Sequence, residues 1–191
     1  MADTPISLIA SAAAALTSHR YVVQEGSANK AVSGTQLSAL IGSLLGQTGF
    51  VEKSADQAGI VSTSFTDITG MGIPVAAGKR YSGRFVFMVD AGATSEGIRI
   101  TLSGPATPTR VSWLLTRSTS ATIVALDAFS AYDVDPGDTG SAGPAQRLTV
   151  LEWVLQNGGT AGTVIPRVRA ETGAQAVNIR AGSYGTYREA G

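Results

Sequence analysis

Between Gly72 and Pro108 the chain reads GIPVAAGKRYSGRFVFMVDAGATSEGIRITLSGPATP, and two runs inside this stretch alternate. Tyr81, Phe85, Phe87 and Val89 share one parity, with Ser82 and Arg84 between them, and Ile98, Ile100 and Leu102 alternate with Arg99, Thr101 and Ser103. A period of two places one set of side chains on one face of a pleated strand, so each run predicts a half-buried strand. Gly78 before the first and Gly104-Pro105 after the second are punctuation, because Gly admits positive φ and Pro cannot donate to a ladder. A lone strand pair is unstable in water and needs a partner sheet. Phe85, Phe87, Ile98 and Ile100 are the expected inward, core-forming residues.

The same signature continues to the end of the chain. Ile60–Phe65 with Asp67–Thr69 reads as a first strand, Met71, Ile73 and Val75 lead into the central pair, and 110–117 places Val111, Trp113 and Leu115 on one face. Ala121–Leu126, Val164–Ala170, Val177–Ala181 and Tyr184–Arg188 are further strands. In Leu148–Leu155, Leu148, Val150 and Val154 oppose Leu151, Trp153 and Leu155, so both faces are apolar. That predicts cover from a second sheet on one side and a neighbouring chain on the other. About eight or nine short strands at regular spacing point to a mainly β domain over 51–191, an antiparallel β-sandwich of jelly-roll-like type.

Residues 1–50 differ: they are rich in small residues and poor in aromatics. Tyr21, Val22 and Val23 form a short strand candidate, Gln24 to Ser27 a turn, and Lys30 to Val32 a second extended run. Ser33 and Gln36 then stand at capping-box spacing ahead of one short helix. Leu37, Leu40, Ile41, Leu44 and Leu45 recur every three or four positions, making a single apolar stripe. The stripe needs a partner, either the sheet domain of its own chain or a seam between copies, and a single stripe favours the seam. Residues 46–56 read as a linker.

Charge and composition limit the functions available. Fourteen basic and fourteen acidic residues give a formal net charge of zero, so no overall field recruits nucleic acid or an anionic membrane. No stretch approaches the ~20 apolar residues of a membrane span, and the Ala-rich run at Leu8–Leu16 lacks the basic flank of an export signal. Without cysteine there are neither disulfides nor thiolate ligands, and a single histidine, His19, makes zinc and iron sites improbable. No cofactor and no metal are expected.

Catalysis needs a positioned acid, base or nucleophile, and few are available. Asp133, Asp135 and Asp138 lie in the turn-forming run DVDPGDTGSAGP. Calcium suits such oxygen donors, yet Gly137 breaks the D-x-D-x-D-G spacing. The reading preferred for Asp133, Asp135 and Asp138 is an exposed surface-binding loop carried on a rigid scaffold. Glu152 on an apolar strand is read as one half of a cross-strand ion pair with Arg167 or Arg169.

Several stretches resemble a known class. Ile6-Ser7-Leu8, Ala13 to Thr17, Tyr21-Val22-Val23-Gln24-x-Gly26, Lys30-Ala31-Val32 and Gln36-Leu37 are similar to the short attachment segment of tailed-bacteriophage fibre and head-decoration proteins. PVAAGKRYSGRFVFMV, GIRITLSGPATPT, GTVIPRVRAE and AVNIRAGSYGTYRE resemble a β-rich module of phage virion proteins. Ser18-His19-Arg20 departs from the attachment pattern, where an acidic or glycine turn is expected. The resemblance implies a non-enzymatic virion component, assembled in the host cytoplasm and homotrimeric. Its N-terminal segment, with Tyr21 to Val23 and the leucine stripe, would dock on capsid, collar or tail proteins while the β domain projects. The alternative is a tail-fibre module that recognises a host surface glycan, with Tyr184 and Tyr187 stacking on sugars.

Overall fold

The computed structural model describes residues 20–25, 28–33, 48–118, 124–137 and 144–190. The chain divides into two compact units, 1–47 and 48–191. In the first unit, β1 (Arg20–Glu25) and β2 (Ala28–Ser33) pair antiparallel with Tyr21, Val22 and Val23 opposite Val32, Ala31 and Lys30. Strand β1 runs through Gln24 and Glu25, which the sequence places in a turn. Leu37, Leu40, Ile41, Leu44 and Leu45 lie outside the described residues.

The second unit is built from antiparallel strands, with no helix among its described residues. They are β3 (Thr48–Glu52), β4 (Gln57–Ile60), β5 (Thr66–Asp67), β6 (Ile73–Val75), β7 (Arg80–Ala91), β8 (Ile98–Ser103) and β9 (Arg110–Ser118). Then come β10 (Val124–Phe129), β11 (Arg147–Gln156), β12 (Gly162–Ala170), β13 (Val177–Ile179) and β14 (Tyr184–Ala190). The large sheet runs β10-β9-β11-β7, and beyond β7 it forks: β14 and then β3 follow the first half of β7, while β13 and then β4 follow its second half. In the small sheet β12 is central, with β8 along one edge and β6 and β5 along the other.

The alternation that predicts β7 and β8 is obeyed: Phe85, Phe87 and Ile100 are 0–1% exposed and Ile98 7%. The two do not pair with each other. β8 pairs with β12 in the other sheet, so the strands adjoin in sequence and face the same core from different sheets. Val111, Trp113, Leu115, Leu151, Trp153 and Leu155 from the large sheet join Leu102, Val164 and Val168 from the small one in a single hydrophobic cluster.

Three aromatic rings in this cluster lie over glycines directly opposite them: Trp153 over Gly83, Phe85 over Gly185 and Tyr187 over Gly49. A Cβ on Gly83 would stand 2.4 Å from the Trp153 ring, and one on Gly49 2.1 Å from Tyr187. A missing side chain on one strand makes room for a large one on the next, a device that also pins register. Gly49 shows why 46–56 was misread as a linker: its inward position carries no apolar signal, yet β3 is fully paired with β14. The expected strand across Ile60–Phe65 stops at Ile60. There the Ser62 hydroxyl accepts from the Ser64 amide (3.1 Å) and donates to the Ser64 carbonyl (2.9 Å), offering the backbone a turn in place of a ladder.

Candidate interaction face

Each sheet has one face in the core and one facing outward, and the two outward faces are built differently. On the small sheet, the inward residues of β8 and β12 alternate with Arg99, Arg167 and Arg169, all pointing out. The segment after Phe129 folds back over them. Asp133 donates its amide to the Leu102 carbonyl (2.8 Å), the Thr101 hydroxyl donates to the Val134 carbonyl (2.7 Å), and the Trp113 indole donates to the Ala131 carbonyl (2.8 Å). Asp133 then meets Arg167 at 2.8 Å, and Asp135 meets both Arg99 (3.0 Å) and Arg169 (2.6 Å), with Glu171 on the far side of Arg99.

Burial alone would raise the Asp135 carboxyl. The hydrogen bonds from Arg169, the Gly137 amide and Arg99 outweigh it and hold it below the usual range. Asp133 and Asp135 therefore act as counter-ions that fasten the loop to the sheet, and Asp138 lies outside the described residues. Arg167 and Arg169 are committed to these aspartates, so the partner expected for Glu152 has to be corrected. Glu152 sits opposite Arg84 on β7, 3.9 Å away, with both side chains about half exposed. Such a pair contributes little.

Among the described residues no loop covers the outward face of the large sheet, and its composition follows from register. One row across it runs Leu126, Thr116, Val150, Val86, Tyr184, and the next Ala128, Leu114, Glu152, Arg84, Thr186, Phe50. Toward one end, on edge strand β10 and on β11, Val124 (59% exposed), Leu126 (63%) and Leu148 (54%) form an aliphatic corner. On β11, Leu151, Trp153 and Leu155 are buried in the core, while Leu148 and Val154 on its outer face are open.

At the other end Arg110, Gln156 and Arg80 stand side by side on β9, β11 and β7, and Arg188 on β14 is diagonal to Arg80. All three arginines are exposed and, among the described residues, none has a carboxylate partner. Arg80 and Arg110 flank a shallow groove of about 630 Å³ floored by Val154, with Ser112, Ser130 and Thr109 on its walls. Of the two tyrosines singled out by sequence, Tyr187 packs against the core over Gly49, while Tyr184 stacks on Phe50 with ring centroids 5.8 Å apart. Phe50, 60% exposed, is the open aromatic on this face. Sequence reading missed it because it took β3 as linker, and missed the arginines because only strand register brings positions 80, 110 and 188 together.

Two buried charged groups elsewhere have structural partners. Lys53 donates to the Thr69 hydroxyl (2.9 Å), the Thr69 carbonyl (3.1 Å) and Gln57 Oε1 (3.3 Å), tying two turns together. Glu96 accepts from the Thr172 amide (2.8 Å), the Thr172 hydroxyl (2.5 Å) and the Gln175 amide (3.1 Å). Among the described residues no three metal-ligating side chains converge. No family model matches the sequence, and no curated protein is similar to it.

Proposed function

We propose that the chain is a non-enzymatic structural protein of a tailed-phage particle, a homotrimeric head-decoration protein or fibre attached through its N-terminal segment. Its β-rich unit projects as an antiparallel sandwich of jelly-roll type. The observation that carries the reading is the aliphatic corner of Val124, Leu126 and Leu148. Large aliphatics clustered on an open sheet face beside an edge strand mark a surface built for association. A second copy is the fitting occupant, because the chain has no net charge to oppose self-association and the corner itself carries no charged side chain. The single core shared by two sheets supports the sandwich, and the attachment-like sequence around Tyr21 to Val23 and Lys30 to Val32 supports docking through residues 1–50.

Covering ~800 Å² per chain at ~25 cal/mol/Å² gives on the order of tens of kcal/mol for a pair, gross of association costs. That suffices for a lasting oligomer. Deleting residues 1–45 is the test of the attachment role: the remaining β unit should stay folded and fail to join particles. Full incorporation of the truncated protein would end the proposal.

A further inference from the structure

We infer that the basic end of the large sheet's outer face binds an acidic oligosaccharide, one whose sugar rings carry carboxylates. Half of the arginines with described side chains, Arg99, Arg117, Arg167, Arg169 and Arg180, hold a carboxylate within 3.1 Å, and Arg84 has Glu152 at 3.9 Å. Arg80, Arg110 and Arg188 have no carboxylate partner among the described residues, and all three stand on one face at one end of one sheet. In a chain whose charges balance, three guanidinium groups collected there with no carboxylate partner among the described residues amount to a local positive field.

The geometry favours a polyhydroxylated anion of extended shape. Arg110 and Arg80 flank Gln156 on adjacent strands, so their backbones are about 10 Å apart, and Arg188 is one diagonal further, ~7–8 Å. Each guanidinium offers a planar fork that matches a carboxylate in two parallel hydrogen bonds, which an ammonium does not. Between the forks lie hydroxyls and an amide, Ser112, Ser82 and Gln156, spaced to meet sugar hydroxyls, and Val154 supplies an apolar floor for a ring face. Beyond Arg188 the path reaches Phe50, whose open ring is held by Tyr184. An aromatic platform stabilised from beneath is the usual complement to the apolar face of a sugar. This site lies away from the aliphatic corner, so occupation and self-association do not compete.

The test uses the full chain and oligogalacturonate as probe, with neutral dextran, polyglutamate and oligothymidylate of matching length as comparisons, by calorimetry at two salt concentrations. The expected result is binding of oligogalacturonate alone that weakens with salt. Arg80→Ala with Arg110→Ala should lower its affinity at least about tenfold, Arg80→Lys with Arg110→Lys should recover only part of it, and Phe50→Ala should cost roughly fivefold. All these positions are exposed, and an unchanged circular dichroism spectrum and unfolding midpoint will show that each variant folds. No binding of oligogalacturonate overturns the inference, as does equal binding of dextran. So does equal binding of polyglutamate or oligothymidylate, which would assign the arginines to an acidic protein or a nucleic acid, and so does undiminished affinity in the folded double alanine variant. Solution mass measured on the same samples separates this result from the oligomer reading.

Discussion

The outward faces of the two sheets make opposite use of arginine. On the small sheet Arg99, Arg167 and Arg169 are covered by the chain's own loop and matched by Asp133, Asp135 and Glu171. On the large sheet Arg80, Arg110 and Arg188 stand unmatched beside exposed aliphatics and Phe50. The inner faces of both sheets pack against the same core, so stability does not require the difference. A face closed by its own chain is structure, and a face that none of the described residues closes is available to something else.

The interior sets the scale against which both faces are compared. Gly83→Ala places a methyl 2.4 Å from the Trp153 ring, and overpacking there should cost about 3 kcal/mol or lose the fold, read by urea unfolding. If the variant were as stable as the parent, the large sheet would be loose enough for its outer face to rearrange, and the comparison would weaken.

Next in size is the closed face. Asp135→Ala leaves Arg99 and Arg169, 17% and 13% exposed, short of a counter-ion and should cost ~1–2 kcal/mol, below the figure for a fully buried pair because Asp135 is itself partly solvated. Arg80→Ala and Arg110→Ala should each stay within about 0.5 kcal/mol of the parent. Equal losses at the two faces would erase the distinction.

Acid should dissect the closed face further. Burial alone would push the Glu96 carboxyl up, but the Thr172 hydroxyl and the amides of Thr172, Gln175 and Gly173 outweigh it and hold it below its ordinary value. Asp135 is held below its ordinary value in the same way. Groups whose folded pKa is depressed contribute stability that is fully present above their unfolded values and is lost as pH falls through the folded ones. The unfolding midpoint should therefore hold down to about pH 5 and then decline toward pH 2, with Glu96→Gln flattening part of the decline. A Glu96→Gln profile parallel to the parent's would remove this carboxylate from the account.

Much of the fold is legible in the sequence where alternation is long: β7, β8, β9, β11 and β12 declare themselves through inward Phe, Ile, Leu, Trp and Val. What alternation does not carry is pairing. Ile98 to Leu102 follow β7 closely in the chain, yet their partner is β12, about seventy residues further on, because antiparallel ladders carry little sequence information beyond their turns. Short strands were lost for a related reason. In β3 a glycine holds one of the two inward places because Tyr187 fills the space from the next strand, leaving Val51 as the one inward apolar side chain in the segment.

The candidate face was half visible. Leu148 and Val154 announce an apolar outer edge of β11, but nothing local distinguishes Arg80, Arg110 or Arg188, which only strand register gathers at one end of the sheet. The aspartates at 133 and 135 give the converse case, since a turn-rich acidic segment reads as open surface until the guanidinium groups beneath it are placed.

The smallest expected effect on folding carries the largest consequence for assembly. Leu126→Lys with Leu148→Lys should change monomer stability by about 0.5 kcal/mol or less, both side chains being more than half exposed, while setting like charges against each other at the proposed contact. Solution mass is the direct measurement. The account predicts that the parent protein sediments at three times its chain mass of 19.5 kDa and that the double lysine variant sediments as a single folded chain. A parent protein that stays monomeric at high concentration, or a variant that remains trimeric, would contradict it.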